Sequence, residues 1–374
     1  VSKDGVFFLG TPSSSEDGDA PNPIADATSP HPDGSAEFAR AEKKRAENAE
    51  NRRKIRERLR GKEEKKERRL ALLTTWKRAL PHSCGAFLSD KGRTTTMKDM
   101  TTAEIREKYL AFFEEKGCKR MPSSSLIPDD PSLLLTSAGM VQFKPYFLHQ
   151  KELDPAYIGT ATAQKCVRTN DIDNIGDARH LSFFEMMGNF SFGKYFKNEM
   201  CAWAFEFSTE VLGLPAEKLY FTVFEDDDET IEIWKSLGVP EDHISRLGED
   251  DNFWRAGPTG PCGPCSEIYF DQGPEVGCGS PDCKPGCDCD RYLEFWNCVF
   301  TQFDGQEDGT LAPLLTKNID TGMGLERIAA IMQGVTNNYD TDVLRSLVGV
   351  GERLSGKTYK QDAAVDKSLR IIAD

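Results

Sequence analysis

The chain has 374 residues, 38% of them apolar and 29% charged, with a net charge of −14. No run of 18 apolar residues occurs, which excludes a membrane-spanning helix, and no basic stretch followed by an apolar one opens the chain, so no secretory signal is expected. Charge is unevenly spread: Arg40 to Arg78 carries 17 Lys and Arg against 7 Glu, a net of +10 that leaves −24 on the rest.

Residues 1–38 are rich in Ser, Pro, Gly, Asp and Ala and carry too little apolar surface to offset chain entropy, so disorder is predicted. Residues 40–80 suit a solvated helix laced with i,i+4 charge pairs. Such a segment serves as a charged spacer, as an RNA-attracting tail whose Lys and Arg meet phosphate without sequence selectivity, or as an organelle address. The acidic residues among the first 20 argue against an ordinary transit peptide. Residues 1–96 are therefore read as an extension, and a cytoplasmic location is expected, with a mitochondrial or plastid one left open. Val1 and the abrupt stop at Asp374 lead to the expectation of a fragment, truncated at its C-terminal end.

A globular unit is predicted over residues 97–374. Thr101 or Thr102 caps a helix with Glu104 in its first turn, Ile105, Tyr109, Phe112 and Phe113 follow at helical spacing, and Gly117 stops it. Leu126–Pro128 and Leu133–Thr136 read as strand pieces broken by Pro128 and Pro131. A helix is predicted over Lys197–Leu212, a strand over Leu219–Phe224 and a short helix over Thr230–Leu237. Strands at Glu267–Phe270 and Glu294–Phe303 flank a Cys-rich insertion, and Leu325–Gln333 is a helix ended by Gly334. Helices and strands mix without a βαβ rhythm, which predicts an α+β fold with an antiparallel sheet. Neither Gly-x-Gly-x-x-Gly after a strand nor a Walker-type Gly-Lys-Ser/Thr occurs, so both common nucleotide cradles are missing.

Two stretches carry chemistry. Asp320-Thr-Gly-Met-Gly-Leu-Glu-Arg327 puts a guanidinium on the first turns of a helix behind a glycine-walled slot. That suits a polyphosphate or a purine face, since Arg offers a donor fork and a stacking plane; alone, such a turn is structural as often as functional. From Arg168 to Gly193 a hairpin is predicted, with Arg168 at one strand end and Phe184 and Glu185 on the returning strand. It would place a cation, an aromatic ring and a carboxylate on one surface, whereas Phe183, Phe190 and Phe192 belong to the core.

From about residue 100 onward the chain closely resembles the aminoacylation domain of alanyl-tRNA synthetases, a class II family. Phe-Phe-Glu-Met-Met-Gly-Asn-Phe-Ser-Phe-Gly at 183–193 is nearly that family's signature, and Arg168 to Glu185 looks like its motif 2 hairpin. Asp320 to Arg327 looks like motif 3, and Thr102 to Pro128 like motif 1, a helix and a strand ending in Pro. Asn252-Phe-Trp254 with Gly257 to Glu267, and Glu294-Phe-Trp-Asn297-Cys-Val299, match further blocks in the right order. Nothing before about residue 97 matches, and the family's editing and later tRNA-binding parts are absent from the chain.

The resemblance implies ATP-dependent activation of alanine and its transfer to the 3′ end of tRNA(Ala), with Mg²⁺ bridging phosphates. Arg168 would hold the α-phosphate and the substrate carboxylate, and Phe184 would stack under adenine with Arg327 on the other face. Glu185 and Asn189 would help position ATP. Asp320 would pair with the alanine ammonium, Gly322 would leave room, and Trp254, Asn297 and Val299 would line the amino-acid pocket. Arg168, Asp320 and Arg327 are thus the expected catalytic residues. Two departures bear on the tRNA acceptor end: the loop from Thr169 to Gly176 is short, and Leu181 stands after His180 where the family leads one to expect another His.

Rival readings are a synthetase-like paralogue that binds tRNA without turnover, and a free-standing editing protein. All three expected catalytic residues are present, which disfavours the first; no two of the five His are four apart, as the second would require. Cys278, Cys283, Cys287 and Cys289 could hold Zn²⁺, but their spacing matches no standard finger and Asp282, Asp288 and Asp290 disfavour thiolates, so a reduced insertion without metal is expected. Cys262 and Cys265 are discounted as ligands because the family keeps their block for its fold.

Overall fold

The computed structural model describes residues 99–374, apart from Pro131, Ser132, Asp171 and Pro258. The predicted extension, residues 1–96, lies outside the described residues. Helix α1 (Thr102–Glu115) starts at a capping box: the Thr101 hydroxyl accepts from the Glu104 amide and the Glu104 carboxylate accepts from the Thr101 amide at 2.9 Å. Its apolar face buries Ile105, Tyr109, Phe112 and Phe113. Gly117, at φ +95°, turns the chain into strand β1 (Cys118–Arg120).

The remaining strands are β2 (Gly159–Val167), β3 (Phe183–Phe192), β4 (Leu219–Phe224), β5 (Ile244–Leu247), β6 (Phe253–Arg255), β7 (Gly260–Asp271), β8 (Tyr292–Val299), β9 (Phe303–Gly305), β10 (Leu311–Pro313) and β11 (Asn318–Gly324). The main sheet runs β1-β2-β3-β11-β8-β7-β4-β5. Its internal pairs are antiparallel, and only the end pairs β1–β2 and β4–β5 are parallel. The predicted α+β class with an antiparallel sheet is therefore the observed one.

Helices α2 (Lys197–Glu206), α3 (Asp228–Ser236), α4 (Leu325–Met332), α5 (Asp342–Ser355) and α6 (Ala363–Ala373) complete the frame. Strand side chains alternate between faces, and one face meets α1: Trp296 is fully buried, with Tyr109, Phe113 and Phe207 rings 5.7, 6.3 and 5.8 Å away. The opposite face of the central strands is left for a cavity.

Local departures from the sequence expectation have physical reasons. Leu126–Pro128 and Leu133–Thr136 are irregular chain rather than strand; Pro128 offers no donor, and Ile127 and Leu134 are 74% and 92% exposed. The motif 1 strand accordingly ends at Arg120, not at Pro128. The predicted helix 197–212 stops being α-helical at Glu206 and widens into a π-type stretch over Phe207–Val211. Strand β7 is 12 residues long, although Gly260, Pro261, Gly263 and Pro264 hide its first half from any alternation pattern. Pro is tolerated there because β6 and β9 are short strands that add only local pairs.

Candidate active site

A cavity of about 280 Å³ opens on the free face of β3, β11, β8 and β7. Register builds its floor. Asp320 of β11 stands opposite Val299 of β8, which stands opposite Cys265 of β7. One step along, Gly322, Asn297 and Glu267 form the next row. Residues directly opposite one another share a face, so these rows point the same way. Trp254 reaches the cavity from β6, whose register sets it against Gly263. A side chain at position 322 would put its Cβ 2.8 Å from the Met186 sulfur, so glycine there keeps the floor low.

Asp320 is the most unusual group. It is 6% exposed, and no hydrogen bond or ion pair reaches its carboxylate among the described residues. Burial alone pushes its pKa up to about 7. Glu267 is also driven up, to about 8, by burial and then by the charge of Glu294. It is held in place by Tyr269 Oη, which donates at 2.5 Å, and by Asn297 Nδ2 at 3.0 Å. Glu326, on the first turn of α4, is raised to about 7 by burial while its side chain accepts from the Glu185 amide at 3.0 Å.

Cationic groups occupy the other part of the cavity. Arg168 lies 5.2 Å from the centre of the Phe184 ring and donates to the Ser137 carbonyl at 3.1 Å. Arg327, on the first turn of α4, donates from Nη1 to both the carboxylate and the carbonyl of Glu294, at 2.7 and 2.8 Å. Four residue steps along extended β11 lead from Asp320 to Gly324, a span of about 13 Å. An acidic floor and a basic wall thus share one cavity, which fits a ligand pair combining an ammonium with polyphosphate.

Of the sequence-predicted residues, Arg168, Phe184, Trp254, Asn297, Val299, Asp320, Gly322 and Arg327 all line this cavity. Glu185 and Asn189 are not among its lining residues. Phe184 and Met186 face the cavity, so the strand period of two sends 185, 187 and 189 to the α1 side. There Glu185 takes a bidentate ion pair from Arg106 of α1, at 2.6 and 2.7 Å. Asn189 is wholly buried: its oxygen accepts from Tyr109 Oη at 3.0 Å and Thr321 Oγ1 at 2.7 Å, and its Nδ2 donates to Tyr195 Oη at 3.0 Å. A carboxylate adjacent to Phe184 cannot share its face.

The sequence reading missed Glu267, Glu294, Glu326, Arg179 and Met186 at the cavity. Strand parity was the available signal for Met186, two residues from Phe184, and for Glu267, on the strand before the insertion. Leu181, the departure beside His180, is 6% exposed and packs with Tyr339, Leu344 and Leu369 while also bordering the cavity. A polar His there would lose that packing.

Residues 104–374 match the family described as tRNA synthetases class II (A). An alanine–tRNA ligase of Desulforamulus reducens is 56% identical over 278 residues, covering 74% of this chain and 31% of the relative. One from Pelotomaculum thermopropionicum is 57% identical over the same length, with the same shares. The chain thus spans about a third of the length of the curated relatives it matches. Among solved structures, apo S. aureus histidyl-tRNA synthetase is similar at 12% identity and a TM-score of 0.39, over 68% of this chain and 73% of that one.

Proposed function

The chain belongs to the class II tRNA synthetases (A), and on that premise we propose that residues 97–374 are the aminoacylation domain of an alanine–tRNA ligase, with residues 1–96 as a basic extension. The substrates are alanine, ATP and tRNA(Ala). An alanine carboxylate oxygen attacks the ATP α-phosphorus, the bond to the β-phosphate breaks, and pyrophosphate leaves. The terminal tRNA hydroxyl then attacks the alanyl carbonyl and AMP departs. Little covalent help is needed, so placement and charge stabilisation carry the rate.

The observation that carries this reading is the buried, unpartnered carboxylate of Asp320. An ammonium supplies the missing counter-charge, and Val299, Trp254 and Gly322 around it leave space for a small side chain. Arg168 meets the α-phosphate and the substrate carboxylate. Adenine lies on Phe184, which requires Arg168 to move off that ring and Arg327 to exchange Glu294 for the nucleotide. Glu267 and Glu294 are close enough that one raises the pKa of the other, and one or two carboxylates beside phosphates are what Mg²⁺ takes, so this donor set fits the ion. When bound, Mg²⁺ would neutralise phosphate charge. No helix among the described residues is long and apolar enough to cross a membrane; the location we propose is cytoplasmic or organellar.

Alanine-dependent exchange of pyrophosphate into ATP tests the reading. Exchange is expected with alanine and more weakly with serine and glycine, because one small group is worth only about 1–3 kcal/mol in such a pocket. Asp320→Ala should raise the alanine KM far more than the ATP KM, and Arg327→Ala the reverse. Absence of exchange with intact tRNA(Ala) binding would establish the non-catalytic paralogue instead.

A further inference from the structure

The loop between β7 and β8 lies apart from the cavity floor, and the activation chemistry does not use it. We propose that Cys278, Cys283, Cys287 and Cys289 form a structural Zn²⁺ site, contrary to what their spacing in the sequence suggests. All four sulfurs lie within 4.8 Å of one another. Cys278 and Cys287 are 3.8 Å apart, and Cys283 and Cys289 are 3.5 Å apart. Disulfides would draw two pairs to about 2.0 Å and let the pairs separate. Zn–S bonds of about 2.3 Å instead give a tetrahedron whose edges are about 3.8 Å, which matches both separations.

The backbone is shaped for this gathering. The Cys283 amide donates to the Ser280 carbonyl at 3.2 Å and the Cys287 amide to the Lys284 carbonyl at 3.0 Å, closing two consecutive turns. Gly286, at φ +88°, supplies the positive φ that the second turn needs at its third position, and Gly279, at +74°, bends the chain just before the first. Irregular spacing in sequence therefore hides a compact arrangement in space.

Polar contacts close the two ends of the loop, with Arg291 on Asp271 at 2.9 and 3.0 Å, but no apolar packing orders its middle. From Gln272 to Arg291 the only apolar side chain other than Cys and Pro is Val276, so no core of its own can form. Its outside contacts are few: a Cβ on Gly286 would come within 3.1 Å of Leu247 on β5, and the carbonyls of Asp288 and Cys289 accept from Arg179 at 3.1 and 3.5 Å. The nearby acids do not forbid thiolates, because a divalent cation is drawn to them and Arg179 already lies 3.6 Å from Asp290. An all-sulfur donor set selects zinc over the oxygen-seeking Mg²⁺. Cys262 and Cys265 take no part; both are buried within β7. Arg179 lines the cavity, so the metal would steady a loop on which one of its walls leans.

Elemental analysis of the full chain, purified without chelator, is the test. About one zinc per chain is expected, falling below about a tenth in Cys283→Ser/Cys287→Ser while alanine-dependent exchange persists. Should that variant fail to fold, zinc-edge X-ray absorption on the unaltered protein decides, with four sulfur neighbours at about 2.3 Å expected. No zinc, zinc retained by the double variant, or a shell of nitrogen and oxygen would each overturn the site. Iron in place of zinc would overturn the choice of metal.

Discussion

A carboxylate kept from water with no partner weakens the fold that contains it. Asp320 has a folded-state pKa of about 7 against an ordinary value of 3.8. Between those values the folded chain keeps a proton that the unfolded chain has released, so stability falls as pH rises through this window. Asp320→Asn removes that loss. Its thermal midpoint should exceed that of the parent protein, by about 2–4 °C for each kcal/mol recovered, with the gap widest above pH 7 and gone below pH 4. An equal midpoint at pH 8 would contradict the burial cost. Alanine binding should run the other way and tighten from pH 6 to pH 8, because an ammonium needs the charged carboxylate. Glu267 and Glu326 face the same cavity and titrate nearby, at about 8 and 7. The alanine KM of a Glu267→Gln variant across that range separates their share; loss of the trend there would assign it to Glu267.

Strand β3 shows how one element serves two ends. Phe184 and Met186 look into the cavity, while Glu185 and Asn189 lock the strand to α1. Asn189→Ala would strip partners from the buried hydroxyls of Tyr195 and Tyr109, at about 1–3 kcal/mol for a group left unsatisfied. The thermal midpoint should therefore drop by several degrees while the ATP KM stays within about twofold. A large rise in that KM at unchanged stability would restore Asn189 to the nucleotide. Local patterns made several elements legible: Leu219–Phe224 is a strand with the predicted limits, and Asp228–Ser236 is a helix within two residues of prediction. Strand β7 was half hidden because its first residues take their partners from β6 and β9, which no local pattern reveals.

At the scale of the molecule, local patterns grouped Arg168 with Phe184 and Asp320 with Gly322 and Arg327, but only the resemblance joined these two stretches to each other and to Trp254, Asn297 and Val299. Of the acidic floor only Asp320 was legible. Glu267, Glu294 and Asp320 line one cavity because β7, β8 and β11 lie side by side and a register shift at Ile268/Tyr269 turns Glu294 onto the face that Asn297 shares with Glu267, none of which a local pattern reveals. The four thiols of the insertion were visible as a group but not as a cluster, because turns rather than spacing bring them together.

Among the described strands β11 comes last in chain order, yet it occupies the middle of the sheet, between β3 and β8. Until it leaves the ribosome, the growing chain holds two half-sheets with facing open edges, each a template for mispairing. A product ending at residue 317 should therefore aggregate, whereas one ending at Gly334 can close the sheet and stay in solution; sedimentation of the two translation products compares them. A soluble, protease-resistant 317-residue product would show that the half-sheets protect themselves. The strand that seals the gap also delivers Asp320, so the carboxylate reaches its place in the same event that completes the sheet.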